Sequence, residues 1–230
     1  MAQATQLGER RTSVDDVFDH LREEILSLNL RPGDKISEAE IAAQFGVSRQ
    51  PVRDAFNRLA TLDLLLIRPQ RATEVKRFST REIAKARFVR AAIEKEVLRL
   101  AARHCDAPGA GELEAALAAQ DQAIEDCDVD AFGALDYEFH KILCKIAKVD
   151  FAFDVIMAEK SKVDRLCILS LSKGARMPEL VSDHRDIAQA VANHNADQAV
   201  EVGMRHLSRL DDTIAQISLT NANYFERTEV

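Results

Sequence analysis

Asp136 and His140 stand four residues apart in a stretch where Phe132, Phe139 and Leu143 recur at helical spacing, so both polar groups fall on the apolar face. Two more histidines do the same elsewhere: His184 shares a face with Leu180, Val181, Ile187 and Ala188, and His206 with Val202, Leu210, Thr213 and Ile217. A buried polar side chain without a partner is costly. Either each imidazole bonds a backbone carbonyl on its own, or the four groups converge on one metal ion. Neutral imidazoles with one carboxylate suit Zn²⁺ first, with Ni²⁺, Co²⁺ and Mn²⁺ open, and four protein donors leave room for a further ligand on a five- or six-coordinate ion. Asp16 and His20 repeat the spacing as a surface pair, and His20, His104 and His194 read as surface residues or caps.

A second set of side chains stands near the other end of the chain. Ser48 is an N-cap, and Arg49, Gln50 and Arg53 occupy the first turns of the helix it opens. Arginine can contact guanine O6 and N7 with both arms, glutamine can read adenine, and a capping hydroxyl or the helix N-terminus can hold a phosphate. Arg68 and Arg71, at the tip of a hairpin further on, would meet the DNA backbone or minor groove. Taken singly, Arg49 and Arg53 are also compatible with an ordinary solvated face.

The elements that would position both sets follow from caps, breakers and periodicity. A first helix is expected from an N-cap at Ser13, with Val14, Val17, Leu21, Ile25 and Leu28 on its inner face, ending before the turn Arg31-Pro32-Gly33-Asp34. Ser37 and Glu40 form a capping box for a two-turn helix that stops at Gly46, and Ser48 opens the next helix, through Leu59. Leu64 to Ile67 and Ala72 to Lys76 read as two short strands. A new capping box at Ser79 to Glu82 places a domain boundary near residue 79. Beyond it the spacing predicts six helices, at about 80–104, 111–127, 129–147, 150–172, 177–194 and 196–219. Residues 1–12 are expected as a flexible N-terminus and 221–230 as a solvated tail.

Composition agrees with a mainly α chain. Of 230 residues 47% are hydrophobic, Gly and Pro number only 8 and 5, and there is no Trp, which excludes collagen-like and disordered chains. Cys105, Cys127, Cys144 and Cys167 form no close pair, so a zinc ribbon, a redox motif and a disulfide scaffold are excluded and a reduced, cytoplasmic setting is expected. No apolar run reaches the roughly 20 residues needed to cross a bilayer, so no membrane partner is expected. The net charge of −7 hides a split: residues 1–78 carry 12 basic and 12 acidic groups, and residues 46–77 carry seven basic against three acidic. The local excess lies where a nucleic acid would be read.

Leu30 to Val75 resembles the winged helix-turn-helix of the GntR family of bacterial transcription regulators. The resemblance is carried by Arg31-Pro32-Gly33-Asp34, Ser37-Glu38, Ile41-Ala42, Gly46-Val47-Ser48-Arg49, Pro51-Val52-Arg53-Asp54-Ala55 and Arg58-Leu59. It implies operator contacts by Ser48, Arg49, Gln50 and Arg53. Two positions depart from the family pattern: Ala39 stands where an Arg is common, and Gln70-Arg71-Ala72 where a Gly is common at the wing tip. Arg90 to Glu94, Phe132 to His140, Asp164-Arg165-Leu166, His184 to Ala190 and Met204 to Leu207 resemble the helical FCD domain of the family's FadR branch. In metal-bearing members that resemblance implies Asp136, His140, His184 and His206 as ligands and a small organic acid bound beside the metal through an Arg of the domain's first helix. Arg90 matches that position, and its neighbours Ala86, Ile93 and Val97 turn it inward; pairing with Glu94 as pure structure is the alternative. Arg165 is a second candidate.

The expected function is a homodimeric, ligand-responsive transcription regulator, acting on a palindromic operator in double-stranded DNA and released by a small carboxylate. A regulator that senses the metal itself is a competing reading. A metal-dependent hydrolase or isomerase with a DNA-binding head is another, disfavoured because no H-E-x-x-H and no additional inward general base occur. The chain is therefore expected not to be an enzyme.

Overall fold

The computed structural model describes residues 12–167 and 173–226. Residues 1–11, in the expected flexible N-terminus, lie outside the described residues, as do residues 168–172, the end of the predicted 150–172 helix, and 227–230. The described chain is mainly α-helical and divides into two units, residues up to 79 together with 221–226, and residues 80–220.

The first unit is a winged helix-turn-helix. Helix α1 (Ser13–Leu26) begins one residue earlier than its expected cap implies, because Thr12 is the N-cap: its hydroxyl accepts from the Asp15 amide while the Asp15 carboxylate accepts from the Thr12 amide. Helix α2 (Glu38–Phe45) starts at Ser37, whose hydroxyl accepts from the Ala39 amide. It ends where Gly46 takes a left-handed φ of 64°. Helix α3 (Arg49–Thr61) follows after two residues and buries Val52, Ala55, Phe56 and Leu59 against Val17, Leu21 and Ile25 of α1. The two expected strands are β2 (Leu65–Leu66) and β3 (Thr73–Val75). A strand that was not expected, β1 (Lys35–Ile36), pairs antiparallel with the other side of β3, so that β3 is central in the order β1-β3-β2. At the hairpin tip the Arg71 amide donates to the Arg68 carbonyl, and Gln70 has a φ of 58°. That is the turn conformation Gly favours, and it falls where the sequence departs from the family's glycine.

The expectation of a solvated tail fails for residues 221–226. They form a 3-10 turn, η1 (Ala222–Tyr224), and a parallel bridge from Phe225 to Phe78. Both phenylalanines are buried, at 8% and 4% exposure, which is the physical reason the segment is held.

The second unit is a bundle of α4 (Thr80–His104), α5 (Ala107–Glu125), α6 (Val129–Ile146), α7 (Phe151–Cys167), α8 (Lys173–Ala192), α9 (Ala196–Ser208) and α10 (Leu210–Thr220). Helix α5 starts four residues before its expected position, since Asp106 caps it through the Gly109 amide and Pro108 fits the first turn, where it has no amide to lose. The single final helix expected over 196–219 is broken at Arg209. Carbonyls at that break accept from other helices: Leu207 O from Arg87 Nη2 at 3.5 Å, and Arg209 O from Arg176 Nη2 at 3.2 Å. The main core runs along α4, α5, α6, α8 and α9, with Val97, Leu98, Leu113, Phe139, Leu143, Ile187, Val191 and Val202 buried. Gly203 lies where α9 meets α4, and a Cβ there would overlap the end of the Leu98 side chain, which would have to shift. No helix among the described residues is long and apolar enough to cross a membrane.

Candidate metal centre and nucleic-acid interface

Helices α6, α8 and α9 each bury an apolar stripe, and the polar residues on those stripes meet. Asp136 and His140 of α6, His184 of α8 and His206 of α9 are buried, and one donor atom from each lies within 4.8 Å of all the others. Donors about 2.1 Å from a common ion stand about 3.4 Å apart in a tetrahedron and at most about 4.2 Å apart when opposite, so modest side-chain movement would gather the set. His140 and His184 ring centroids are 5.6 Å apart, His184 and His206 4.7 Å. His140 Nε2, His184 Nε2 and His206 Nδ1 are buried nitrogens with no hydrogen-bond partner. A neutral ring that donates through one nitrogen leaves a lone pair on the other, which a cation or a donor can satisfy and a carbonyl cannot.

Behind the rings stands a second layer of polar groups. Gln120 Nε2 donates to the Leu135 carbonyl at 3.2 Å, which leaves Gln120 Oε1 facing His184 Nδ1 at 2.8 Å. The proton of His184 is thereby placed on Nδ1 and a lone pair on Nε2, the state a metal ligand needs. Burial, followed by the neighbouring His206, also pushes the His184 pKa well below its ordinary value, keeping the ring neutral. Phe139 stacks on this ring at 4.3 Å. Glu94 Oε2 lies 3.3 Å from His140 Nδ1, and Asp183 Oδ2 lies 3.6 Å from His206 Nδ1. Asp183 is itself fixed by Arg209, whose Nε and Nη2 donate to its two oxygens at 2.8 and 3.0 Å.

Two carboxylates and two cations complete the centre. Asp136 Oδ2 is 3.3 Å from Lys160 Nζ, and its Oδ1 is 3.5 Å from His184 Nε2. Burial opposes ionisation of Asp136, but Lys160, then the three histidines, hold its carboxyl well below the usual range. Lys160 also lies 3.9 Å from the centre of the Tyr137 ring. Arg90 is buried and donates through Nε to Glu94 Oε1 at 2.9 Å, so the pairing weighed as structural is present. Burial would raise the Glu94 pKa; His140 and Arg90 together bring it down to about 2. Arg165 lies on α7, and its side chain is outside the described residues. A cavity of about 10 Å³, room for one water, opens beside Glu94, His140 and His206, with Val97, Leu98 and Ile156 among its walls.

In the head the sequence-derived residues divide into partnered and unpartnered. Ser48 makes no side-chain bond to cap α3, and it is exposed together with Arg49 and Gln50. Gln50 Nε2 donates to Asp54 at 2.9 Å. Arg53 donates to Glu38 through Nε at 3.3 Å and Nη2 at 3.0 Å, joining α3 to α2 across the turn. Arg68 and Arg71 are exposed at the hairpin tip, Arg68 within 3.9 Å of Glu74. Arg49 and Arg71 have no ion-pair partner among the described residues.

Sequence reasoning did not assign Gln120, Asp183 or Lys160 to the centre. Gln120 left a trace, as the polar end of an Ala-rich run from Ala115, and Asp183 directly precedes His184. Lys160 gave no signal, since only packing of α7 against α6 brings it to Asp136.

A capped helix-turn-helix with a basic first turn and a β-wing, followed by an all-α bundle, defines a DNA-binding transcription regulator. Residues 13–75 match the gntR family of bacterial regulatory proteins, and residues 86–209 match the FCD domain. The HTH-type transcriptional repressor RspR of Escherichia coli K12 is 34% identical over 225 residues, 98% of this chain and 99% of that one. A probable D-xylose utilization operon transcriptional repressor of Paenarthrobacter nicotinovorans is 34% identical over 139 residues, 60% of this chain and 61% of the other. The solved structure of Lar, which controls expression of the Listeria monocytogenes agr system, aligns at 14% identity with a TM-score of 0.68 over 91% of this chain and 100% of that one, a likeness of fold. This chain belongs to the GntR family, with an FCD domain after its DNA-binding head; these relatives are transcription regulators, not enzymes.

Proposed function

We propose that the protein is a homodimeric repressor that binds a palindromic operator in the cytoplasm and is released by a small carboxylate held beside a divalent metal ion. The carrying observation is the buried cluster of Asp136, His140, His184 and His206 with its orphaned ring nitrogens. The donor set fits Zn²⁺ first, with Ni²⁺, Co²⁺ or Mn²⁺ as substitutes. Once bound, the ion supplies a Lewis-acidic positive charge that attracts an anion. Asp136 and Glu94 already balance Lys160 and Arg90, so a divalent ion leaves an excess of about two positive charges out of reach of bulk water, which favours an acid as effector. Arg90, held in place by Glu94, is the cation assigned to face the effector carboxylate, with Arg165 as a second candidate. The small cavity beside Glu94 must widen to admit anything larger than a water, and that movement of α4 and α9 is the signal.

On the DNA side, Arg49 and Gln50 are assigned to base edges and Ser48 to a phosphate, its hydroxyl being uncommitted to its own helix. Arg68 and Arg71 are assigned to the backbone or minor groove. Arg53 belongs to the same surface while it braces Glu38.

The test is selection of fragmented genomic DNA by the purified protein, with Arg49→Ala/Arg53→Ala in parallel, followed by titration of small hydroxy acids and dicarboxylates on the selected site. Discrete palindromes lost in the double variant, bound metal in a ratio near one per chain, and release by an acid are expected. Release by chelation alone, with no response to any acid, would replace this reading by direct metal sensing.

A further inference from the structure

The C-terminal segment is built into the head at the strand that carries the wing. Past β3 the chain continues to Phe78, whose amide donates to the Tyr224 carbonyl at 2.9 Å and whose carbonyl accepts from the Glu226 amide at 2.8 Å. The Phe78 and Phe225 rings meet with centroids 5.6 Å apart. One residue earlier, Arg77 Nε donates to the Asn223 carbonyl at 3.2 Å while its Nη1 pairs with Glu74 of β3. Gly33, at a φ of 95°, leaves the space that the Arg77 guanidinium fills; a Cβ there would overlap it. Glu74 in turn has its other oxygen 3.9 Å from Arg68 Nη2 at the wing. A continuous line of contacts therefore runs from Asn223 through Arg77 and Glu74 to Arg68.

We propose that residues 221–226 are a working part of the DNA-reading head, in which Phe225 and Arg77 act as positioning residues for Arg68. The segment directly follows α10, so the chain passes between the two units twice, at 79–80 and at 220–221. Helix α10 begins one residue after the Arg209 joint, which Asp183 and Arg176 hold, and the metal-centre residue His206 lies three residues before that joint. Rearrangement at the centre can thus be transmitted to the wing strand through α10, independently of α4.

This inference rests on the assignment of Arg68 as a DNA contact, and two readouts separate the two claims. The first is amide hydrogen exchange over residues 65–78 of the full chain without DNA, comparing wild type, Phe225→Ser and Phe225→Leu. Exchange faster by about tenfold or more in the Ser variant, restored by Leu, is expected, while protection in α1 and α3 stays unchanged. The second is the salt dependence of binding to a mixed-sequence duplex. Arg68→Ala should lower the slope of log K against log salt by about 1 per chain. Phe225→Ser should do the same alone and add nothing in the Arg68→Ala background. Additive losses, or unchanged wing exchange, overturn the proposal. A slope untouched by Arg68→Ala removes the DNA assignment alone, and the positioning claim is then decided by exchange.

Discussion

In the head the side chains with chemistry, Ser48, Arg49, Gln50, Arg68 and Arg71, all face solvent, whereas in the helical domain Asp136, His140, His184 and His206 are all buried. A solvated arginine needs no protein partner, so the head can present Arg49 and Arg71 uncommitted. A buried imidazole has two nitrogens to satisfy, and the helical domain answers with Gln120 behind His184 and Glu94 behind His140, while Asp183 stands 3.6 Å from His206 Nδ1. The reading surface is consequently open to substitution with little effect on folding. The centre is bound up with the stability of the domain that contains it.

His184→Ala should show the largest effect. It removes a donor, unstacks Phe139 and orphans Gln120, so bound metal should fall to near zero and the helical domain should lose about 2–4 kcal/mol. Elemental analysis and thermal melts check this, and α1 and α3 of the head should keep their hydrogen-exchange protection in the same variant. Gln120→Leu tests the layer behind the ring. With His184 no longer held in one tautomer, metal affinity should fall about 10- to 100-fold in a competition titration against a chelator of known affinity. A wild-type affinity would reduce Gln120 to packing.

Arg49→Ala probes the opposite side of the contrast. It should cost about 1–3 kcal/mol of operator binding, measured by fluorescence anisotropy, with an unchanged melting temperature. A melt that moves with it would mean the residue is structural after all. The smallest effect is expected at Asp15. The Thr12 hydroxyl, and then Arg58, hold its carboxyl at about 2 rather than the ordinary 3.8. A carboxylate with a depressed pKa in the folded state contributes fully above its unfolded value and is lost as pH falls toward the folded one. Stability of the wild-type head should therefore decline across that acid window, and Asp15→Asn should flatten the decline in acid titrations followed by circular dichroism.

The helix-turn-helix was legible because its signals are local: Ser37, Gly46 and Ser48 punctuate it within a dozen residues. The four clustered residues, Asp136, His140, His184 and His206, were legible because a polar group on an apolar stripe is conspicuous. What escaped was fixed by distant partners. The break at Arg209 depends on Arg87 and Arg176, more than 30 residues away or further, which satisfy the exposed carbonyls. Strand β1 is only two residues long and exists because β3 lies beside it. The C-terminal segment offered one hint, the adjacent Tyr224 and Phe225 in an otherwise polar stretch, but the partner that buries Phe225 is separated from it by the whole helical domain.

The wing tip has a kinetic consequence. Pro69 has its φ fixed by its ring, and Gln70 already occupies the left-handed well within a turn closed by the Arg68 carbonyl. Ordering such a loop on contact would cost about 1–2 kcal/mol for each residue. Here the conformation is set during folding, so the wing meets its partner as a preformed edge. On the proposed assignment of Arg68 and Arg71 to DNA, encounter would be governed by diffusion and electrostatic steering rather than by the time a loose loop takes to find its shape.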